Sequence, residues 1–273
     1  MSCGTWPVEE GCGIFRLQAE VARRVAGQVG VEILGSRVAD ADWRPTDSLE
    51  AYRRAGQPGG VLPRLVVVID EMADLMIIAT RFRELPDSQM KYIDDYVESG
   101  RPIIGIRTAT HAFRYGEAST SEYRHYDFQS ESWEQGFGRQ VLGETWIAHH
   151  GRHGVESTRG IVVETMKDHP IVRGCEDIWG PTDVYAVRLP LPDTSQPLVL
   201  GQVLSGMSPG DEPVVGRKSG DDERLVHPND PMMPIAWTKS YTGESGKAAR
   251  VFTTTMGHGG DLKSEGFRRL LMN

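Results

Sequence analysis

The sequence predicts an α/β protein. Three observations carry the prediction: short apolar runs typical of buried parallel strands, helical stripes between some of them, and Gly/Pro breaks that separate the rest. Residues 15–29 space Leu17, Val21, Val25 and Val29 four apart, a helix stripe closed by Gly30. "VEIL" (31–34) is a short strand candidate, and "DSLEAYRRAG" (47–56) a short helix ending at Gly56. "QPGGVLP" (57–63) breaks the chain and marks a domain boundary. "ADLMIIAT" (73–80) reads as a buried strand. Asp87 is placed to cap a helix through Ser99, with Met90, Ile93 and Val97 on one face and Gly100 as its stop. "RPIIGIRTATHAF" (101–113) is a second buried strand that runs into a tight polar turn. Together these form a β-α-β unit, whose crossover should be right-handed. Further strands are expected at "GIVVET" (160–165), "DVYAVRL" (183–189), "PLVLGQVL" (197–204), "PIAWTKSY" (234–241) and "ARVFTTTMG" (249–257). Residues 205–233 read as a long surface loop, and "DLKSEGFRRLLM" (261–272) as a closing helix.

Composition narrows the function classes. The 273 residues suffice for one large domain, or for one domain plus an appendage. A net charge of -8 argues against broad binding to DNA or anionic membrane, which needs a basic face. No apolar run reaches the roughly 18–20 residues of a transmembrane helix, and Glu9 and Glu10 stand where a signal peptide needs an apolar core. Cys3, Cys12 and Cys175 are odd in number and lack metal-ligand spacing, in keeping with a reduced compartment. The expectation is a soluble, cytoplasmic protein with no nucleic-acid partner, no membrane and no cofactor.

One stretch resists this reading. "RLVVVIDEMADLMIIAT" (64–80) looks like two buried strands separated by Glu71 and Met72. Parallel neighbours need a crossover of about a dozen residues or more, so both cannot be parallel strands of one sheet. An Asp-Glu at a strand end can hold a magnesium-bound water, and "LPRLVVVIDEMADLM" resembles the corresponding segment of FtsK/SpoIIIE-type DNA translocases over residues 45–76. The phosphate cradle that would complete an ATPase is missing. Its nearest match, "GESGKA" (243–248), sets Gly243 too close to Gly246 and has Ala248 where a hydroxyl is needed. Asp70 and Glu71 are therefore expected to be solvated carboxylates at a strand end.

From residue 73 onward the chain resembles the ThuA-like (trehalose utilisation) family, in particular the versions common in planctomycete-type bacteria. The matching stretches include "ADLMIIATRFRELPDSQMKYIDDYVESGRPIIGIRTATHAF", "GFGRQVLGETWIAHHG", "STRGIVVETMKDHPIVRG", "DIWGPTDVYAVRLPLP" and "RVFTTTMGHGGD". The resemblance implies a class I glutamine amidotransferase-like fold, a doubly wound, mostly parallel sheet of flavodoxin-like character, and a role linked to sugar catabolism. It makes residues 63–273 the ThuA-like domain. Residues 1–62 are then an atypical N-terminal segment, appended or joined from a translocase-like sequence. The family's first strand, normally central in the sheet, has no counterpart in residues 1–60 unless "VEIL" or "LVVVID" takes its place.

The same resemblance points to residues for a site. Amidotransferases present a nucleophilic Cys on the turn after the "PxxGI" strand. Here Arg107 stands there, and arginine stays charged and is no nucleophile, so glutaminase chemistry is excluded. Arg107 is either a ligand-binding cation or an ion-paired residue at the sheet's carboxyl edge, where ligands of open α/β sheets gather. Thr108, Thr110 and His111 share that edge. "WIAHHGRH" (146–153) brings His149, His150 and His153 together, but adjacent residues of an extended chain face opposite ways, so at most one of the first two joins a common site. No metal is expected, and His149 or His150 is a candidate polar ligand or general base. His258 lies in the Gly-rich turn that ends "TTTMGHGGD", which is either a ligand-approach loop or a simple turn. Asp183 and Trp179 match family positions; a Trp beside a carboxylate suits a sugar face, although Trp is more often core. The catalytic candidates are thus His111, His149 and His258, and the ligand-binding candidates Arg107, Thr108, Thr110, Trp179 and Asp183. The expected partner is a sugar-derived small molecule. The alternatives are a translocase-like ATPase fragment and a non-catalytic interaction domain.

Overall fold

Alternation along the strands decides the architecture, because successive residues face opposite sides of a sheet. In the strand over 248–254, Ala249 and Val251 are buried in one apolar core and Phe252 in another. The sheet is therefore covered on both faces, as expected for an α/β fold. The computed structural model describes residues 67–70, 75–218 and 225–273. The helices expected at 15–29 and 47–56, the strand at 31–34, the break at 57–63 and Glu71 lie outside the described residues.

In chain order the strands are β1 (Val67–Asp70), β2 (Leu75–Ile78), β3 (Ile103–Ile106), β4 (Ala148–His149), β5 (Ser157–Val162), β6 (Trp179–Gly180), β7 (Tyr185–Ala186), β8 (Gln196–Leu204), β9 (Arg217–Lys218), β10 (Leu225–Val226), β11 (Met233–Thr242) and β12 (Ala248–Thr254). Among the described residues the α-helices are α1 (Asp87–Glu98), α2 (Gly136–Gln140) and α3 (Glu265–Met272). Among the described residues, eight strands form one sheet in the order β1-β2-β3-β12-β11-β8-β5-β6. The run β2-β3-β12 is parallel, and every other pairing in this sheet is antiparallel. Two of the seven pairings are thus parallel, and the expectation of a mostly parallel sheet is met only in the run that carries β-α-β geometry. Beyond it, β12 returns to β11 through a hairpin and the sheet grows antiparallel.

The opening puzzle of 64–80 resolves by direction. β1 pairs antiparallel with β2, Val67 opposite Ile78 and Asp70 opposite Leu75, so no crossover is needed. β1 lies at the outer edge of the described sheet, not in its middle.

α1 buries Met90, Ile93 and Val97 against Met76, Ile78 and Ile103. Each such side chain contributes about 1.5–3 kcal/mol when fully buried. Asp87 is the first helical residue and not the cap; it accepts a hydrogen bond from the Ser121 hydroxyl. Pro86 occupies the cap position, so the helix start is set by backbone and by that side-chain bond. Gly100, with φ +74°, ends the turn as expected. On the opposite face α3 buries Phe267 and Leu270, and Ser264 caps it by accepting from the Phe267 N–H. The "GESGKA" segment is the β11–β12 hairpin turn. Glu98 of α1 pins it, accepting from the Glu244 N–H at 2.6 Å and from the Tyr241 hydroxyl at 2.7 Å.

Two expectations need correction. "DVYAVRL" does not join the main sheet. Only Tyr185–Ala186 is extended, and it pairs with β4 instead. Val184 O accepts from the His150 and Gly151 N–H groups, which holds the segment over the 149–151 chain. The 205–233 loop carries the small β9–β10 ladder. No helix among the described residues is long and apolar enough to cross a membrane.

Candidate functional site

The carboxyl ends of β2, β3 and β12 open onto one edge of the sheet, and four segments meet there. The first is the turn after β3. Arg107 begins it with φ +49°, a left-handed conformation that a non-glycine residue adopts at a cost of about 1–3 kcal/mol and that clusters at functional sites. Space for it comes from Gly257 beside it. That residue has φ +131°, and any Cβ there would run into Ile106 Cγ2.

Arg107 is nearly buried, and its guanidinium is committed to the protein. Nη1 donates to Thr255 O at 2.7 Å and Asp183 O at 3.0 Å, and Nη2 donates to Asp183 Oδ1 at 3.1 Å. The guanidinium also lies 3.8 Å above the Tyr185 ring. Of the two roles open to Arg107 in sequence, the structure thus supplies the ion pair at the sheet edge. It joins the end of β12 to the 183–185 segment.

Asp183 is the centre of the group. Its side chain is fully buried, yet it meets two histidines that reach solvent: His149 Nδ1 lies 2.5 Å from Oδ2 and His153 Nδ1 lies 2.9 Å from Oδ1. The His149 and His153 side chains are 42% and 72% exposed, so the group has a buried floor and an open top. Burial pushes the Asp183 carboxyl up. The hydrogen bonds from His153 and His149, followed by the Arg107 charge, outweigh that and hold it below the usual carboxylate range. The local chain explains the convergence. The β4–β7 ladder sets His149 opposite Tyr185, and Gly151 lets the following turn pass over Asp183, where a Cβ would come within 3.1 Å of the Asp183 Cβ.

Aromatic rings wall this group. Trp146 and Tyr185 meet the His149 ring at 5.7 and 5.5 Å between centroids. His111 packs behind them, 5.0 Å from both Phe82 and Trp146 and 5.8 Å from Tyr185. Burial, then the charges of Arg81 and Arg107, push its pKa down to about 3, so it is a neutral imidazole and a weak proton acceptor at neutral pH. The Trp146 Nε1–H is buried with no partner among the described residues.

The other candidates separate into two groups. Thr110 is fully buried, and its hydroxyl lies 3.2 Å from His111 Nδ1, so it sets that ring rather than a surface. Thr108 is half-buried in the same turn. His258 is exposed beside the edge; its N–H and that of Gly257 donate to the buried Asp261 carboxylate. Asp261 also accepts from the Thr182 hydroxyl, which ties the Gly-rich turn to the residue before Asp183. His150 turns away and bonds Pro228 O through Nε2, as the alternation argument requires. Trp179 is not brought to Asp183. It lies on the outer strand β6, bonds Ser157 Oγ and lines a separate open cleft of about 880 Å³ beside α3.

Sequence reasoning undervalued His153 and passed over Tyr185, Trp146 and Asp261. The spacing of His149 and His153 around Gly151 was a usable signal. Asp261 closes the same Gly-rich turn as His258, and only its Thr182 partner lies in another segment.

No family model and no curated protein matches the sequence. Among solved structures, the chain is similar to a protein provisionally named ThuA-like from Parabacteroides merdae ATCC 43184. Identity is 14%, with 72% of this chain and 67% of that chain covered and a TM-score of 0.43. It is also similar to a protein of the same provisional name from Bacteroides uniformis ATCC 8492, at 14% identity, 83% and 80% coverage and a TM-score of 0.44.

Proposed function

We propose that residues 63–273 form a ThuA-like domain that binds or converts a sugar-derived small molecule at this sheet edge, without glutamine amidotransferase activity. The observation that supports it most is the Asp183 group: a buried carboxylate fixed by Arg107 presents two imidazoles to solvent between aromatic walls. Sugars combine rows of hydroxyls with apolar ring faces, and such ligands are met by a few fixed polar groups beside aromatic side chains. A carboxylate-held imidazole can exchange a proton with a bound hydroxyl, and His149 is the candidate for that exchange. The residue at the nucleophile's place is an arginine committed to an ion pair, which supports the exclusion of glutaminase chemistry.

The test is a thermal-shift panel of aldoses, keto-sugars, sugar acids and disaccharides on the full chain and on His149→Ala. A sugar that raises the melting temperature of the wild type and not of the variant is the expected result. A panel with no response removes the support for a carbohydrate ligand.

A further inference from the structure

We propose that His149, His153 and Asp183 form a binding site for a first-row divalent metal ion, with Zn²⁺ as the reference case. The inference rests on the reading of this edge as the working site and names what the polar group holds there. One ligand-type atom from each residue lies within 4.8 Å of the other two. The set, two imidazole nitrogens and one carboxylate oxygen, is a three-ligand combination that such ions accept while keeping a further position for water or substrate.

Three features make the cluster more than a chance meeting. Asp183 cannot swing away, because Arg107 holds Oδ1 from behind and Asp183 O is bonded to the same guanidinium. Groups that orient a ligand in this way are a regular part of metal sites. The His149 ring is confined by Trp146 and Tyr185, so little orientational freedom remains to be lost. The third feature is room to adjust. The two Nδ1-to-oxygen separations are hydrogen-bond lengths, whereas metal–ligand bonds of about 2.0–2.2 Å would hold the same atoms at about 3.3 Å. Both histidines are exposed enough to move outward by that amount while Asp183 stays in place. Binding then takes no net proton from a neutral ring: the hydrogen on each Nδ1 is given up and one is taken on Nε2 through solvent.

The charge balance sets the strength. Arg107 already offsets part of the Asp183 charge, so the site should release the ion to a chelator. An ion held by His149, His153 and Asp183 would acidify a water bound to it, and that water would then compete with His149 as the group that exchanges a proton with the ligand.

The test uses Co²⁺ as a spectroscopic probe on the full chain. Titration should give visible ligand-field bands that saturate at one Co²⁺ per chain and vanish on adding Zn²⁺. His153→Ala changes an exposed side chain and should weaken binding tenfold or more, as should His149→Ala. His150→Ala, whose ring is turned to Pro228 O, should leave it unchanged. Absence of the bands, or saturation unaffected by His153→Ala and His149→Ala, overturns the proposal. The sugar panel separates the two readings. Metal uptake without any sugar response removes the carbohydrate ligand and keeps the metal site; sugar-dependent stabilisation in a chain that takes up no Co²⁺ does the reverse.

Discussion

Asp183 and Glu144 are both fully buried carboxylates clamped by arginine, and they differ in what else touches them. Glu144 accepts from Arg139 Nη1 at 2.5 Å, from the Thr145 N–H at 2.8 Å and from Arg188 Nη1 at 3.4 Å. All three donors keep their protons, and none has a lone pair to offer. Asp183 accepts from Arg107 as well, but its other two partners are imidazoles with exposed faces. An imidazole can lose its proton, move it to the other nitrogen or give a lone pair to a cation. Burial and ion pairing alone therefore mark a structural joint. Exchangeable partners on the open side mark a place for chemistry.

Removing each carboxylate should separate the two roles. Asp183→Ala leaves the Arg107 guanidinium buried without its counter-ion, and breaking such a pair costs about 3–5 kcal/mol. Urea unfolding should read that loss, and any sugar-dependent stabilisation should vanish with it. Glu144→Gln keeps the shape and loses charge-assisted bonds, a cost of about 1.5–3 kcal/mol. Its sugar response should survive in the folded fraction; loss of that response would mean the two groups are coupled and the contrast fails.

An effect that is absent at neutral pH sharpens the contrast from behind the site. His111 is held neutral in the fold, with its pKa lowered from 6.5 to about 3. The unfolded chain binds the proton more readily, so the stability this residue supports is complete above about pH 6.5 and is lost as pH falls toward 3. The slope is about 1.4 kcal/mol per pH unit inside that window. His111→Gln should flatten the pH dependence of unfolding between pH 6.5 and 4. An unchanged profile would show that the ring already carries a proton in the fold. Smallest of all, Lys91→Ala removes an exposed ion pair with Asp95 and should leave the melting temperature within error.

Much of the central fold was legible in the sequence. α1 and β3 announce themselves because a stripe at Met90, Ile93 and Val97 and an apolar run at 103–106 are strong local patterns. The direction of β1 was not, since an apolar run is the same read either way; what could be inferred was only that a parallel partner was impossible. The site was half legible. His149, Asp183 and Arg107 could each be singled out in the sequence, but their joining depends on the two-residue β4–β7 ladder, too short to leave a periodic signal. Trp179 was expected beside Asp183 because both match positions of the resembled family and a Trp beside a carboxylate suits a sugar face. The chain between them instead leaves β6 at the far edge of the sheet. The tie that Asp261 makes to the residue before Asp183 was invisible for a similar reason: the Thr182 hydroxyl that it accepts from is 79 positions away, although its Gly257 and His258 donors are local.

The pairing of β3 with β12 has a consequence in time. Arg107 and the Thr255 carbonyl it grips stand 148 positions apart along the chain. Closing so long a loop is slow, and contacts of this range form late in folding as a rule. A growing chain therefore emerges with Asp183 and both histidines already made but without the strand that fixes Arg107 over them. Residues 248–255 complete the site, so a chain that has been made only as far as Asp183 does not yet hold Arg107 in place.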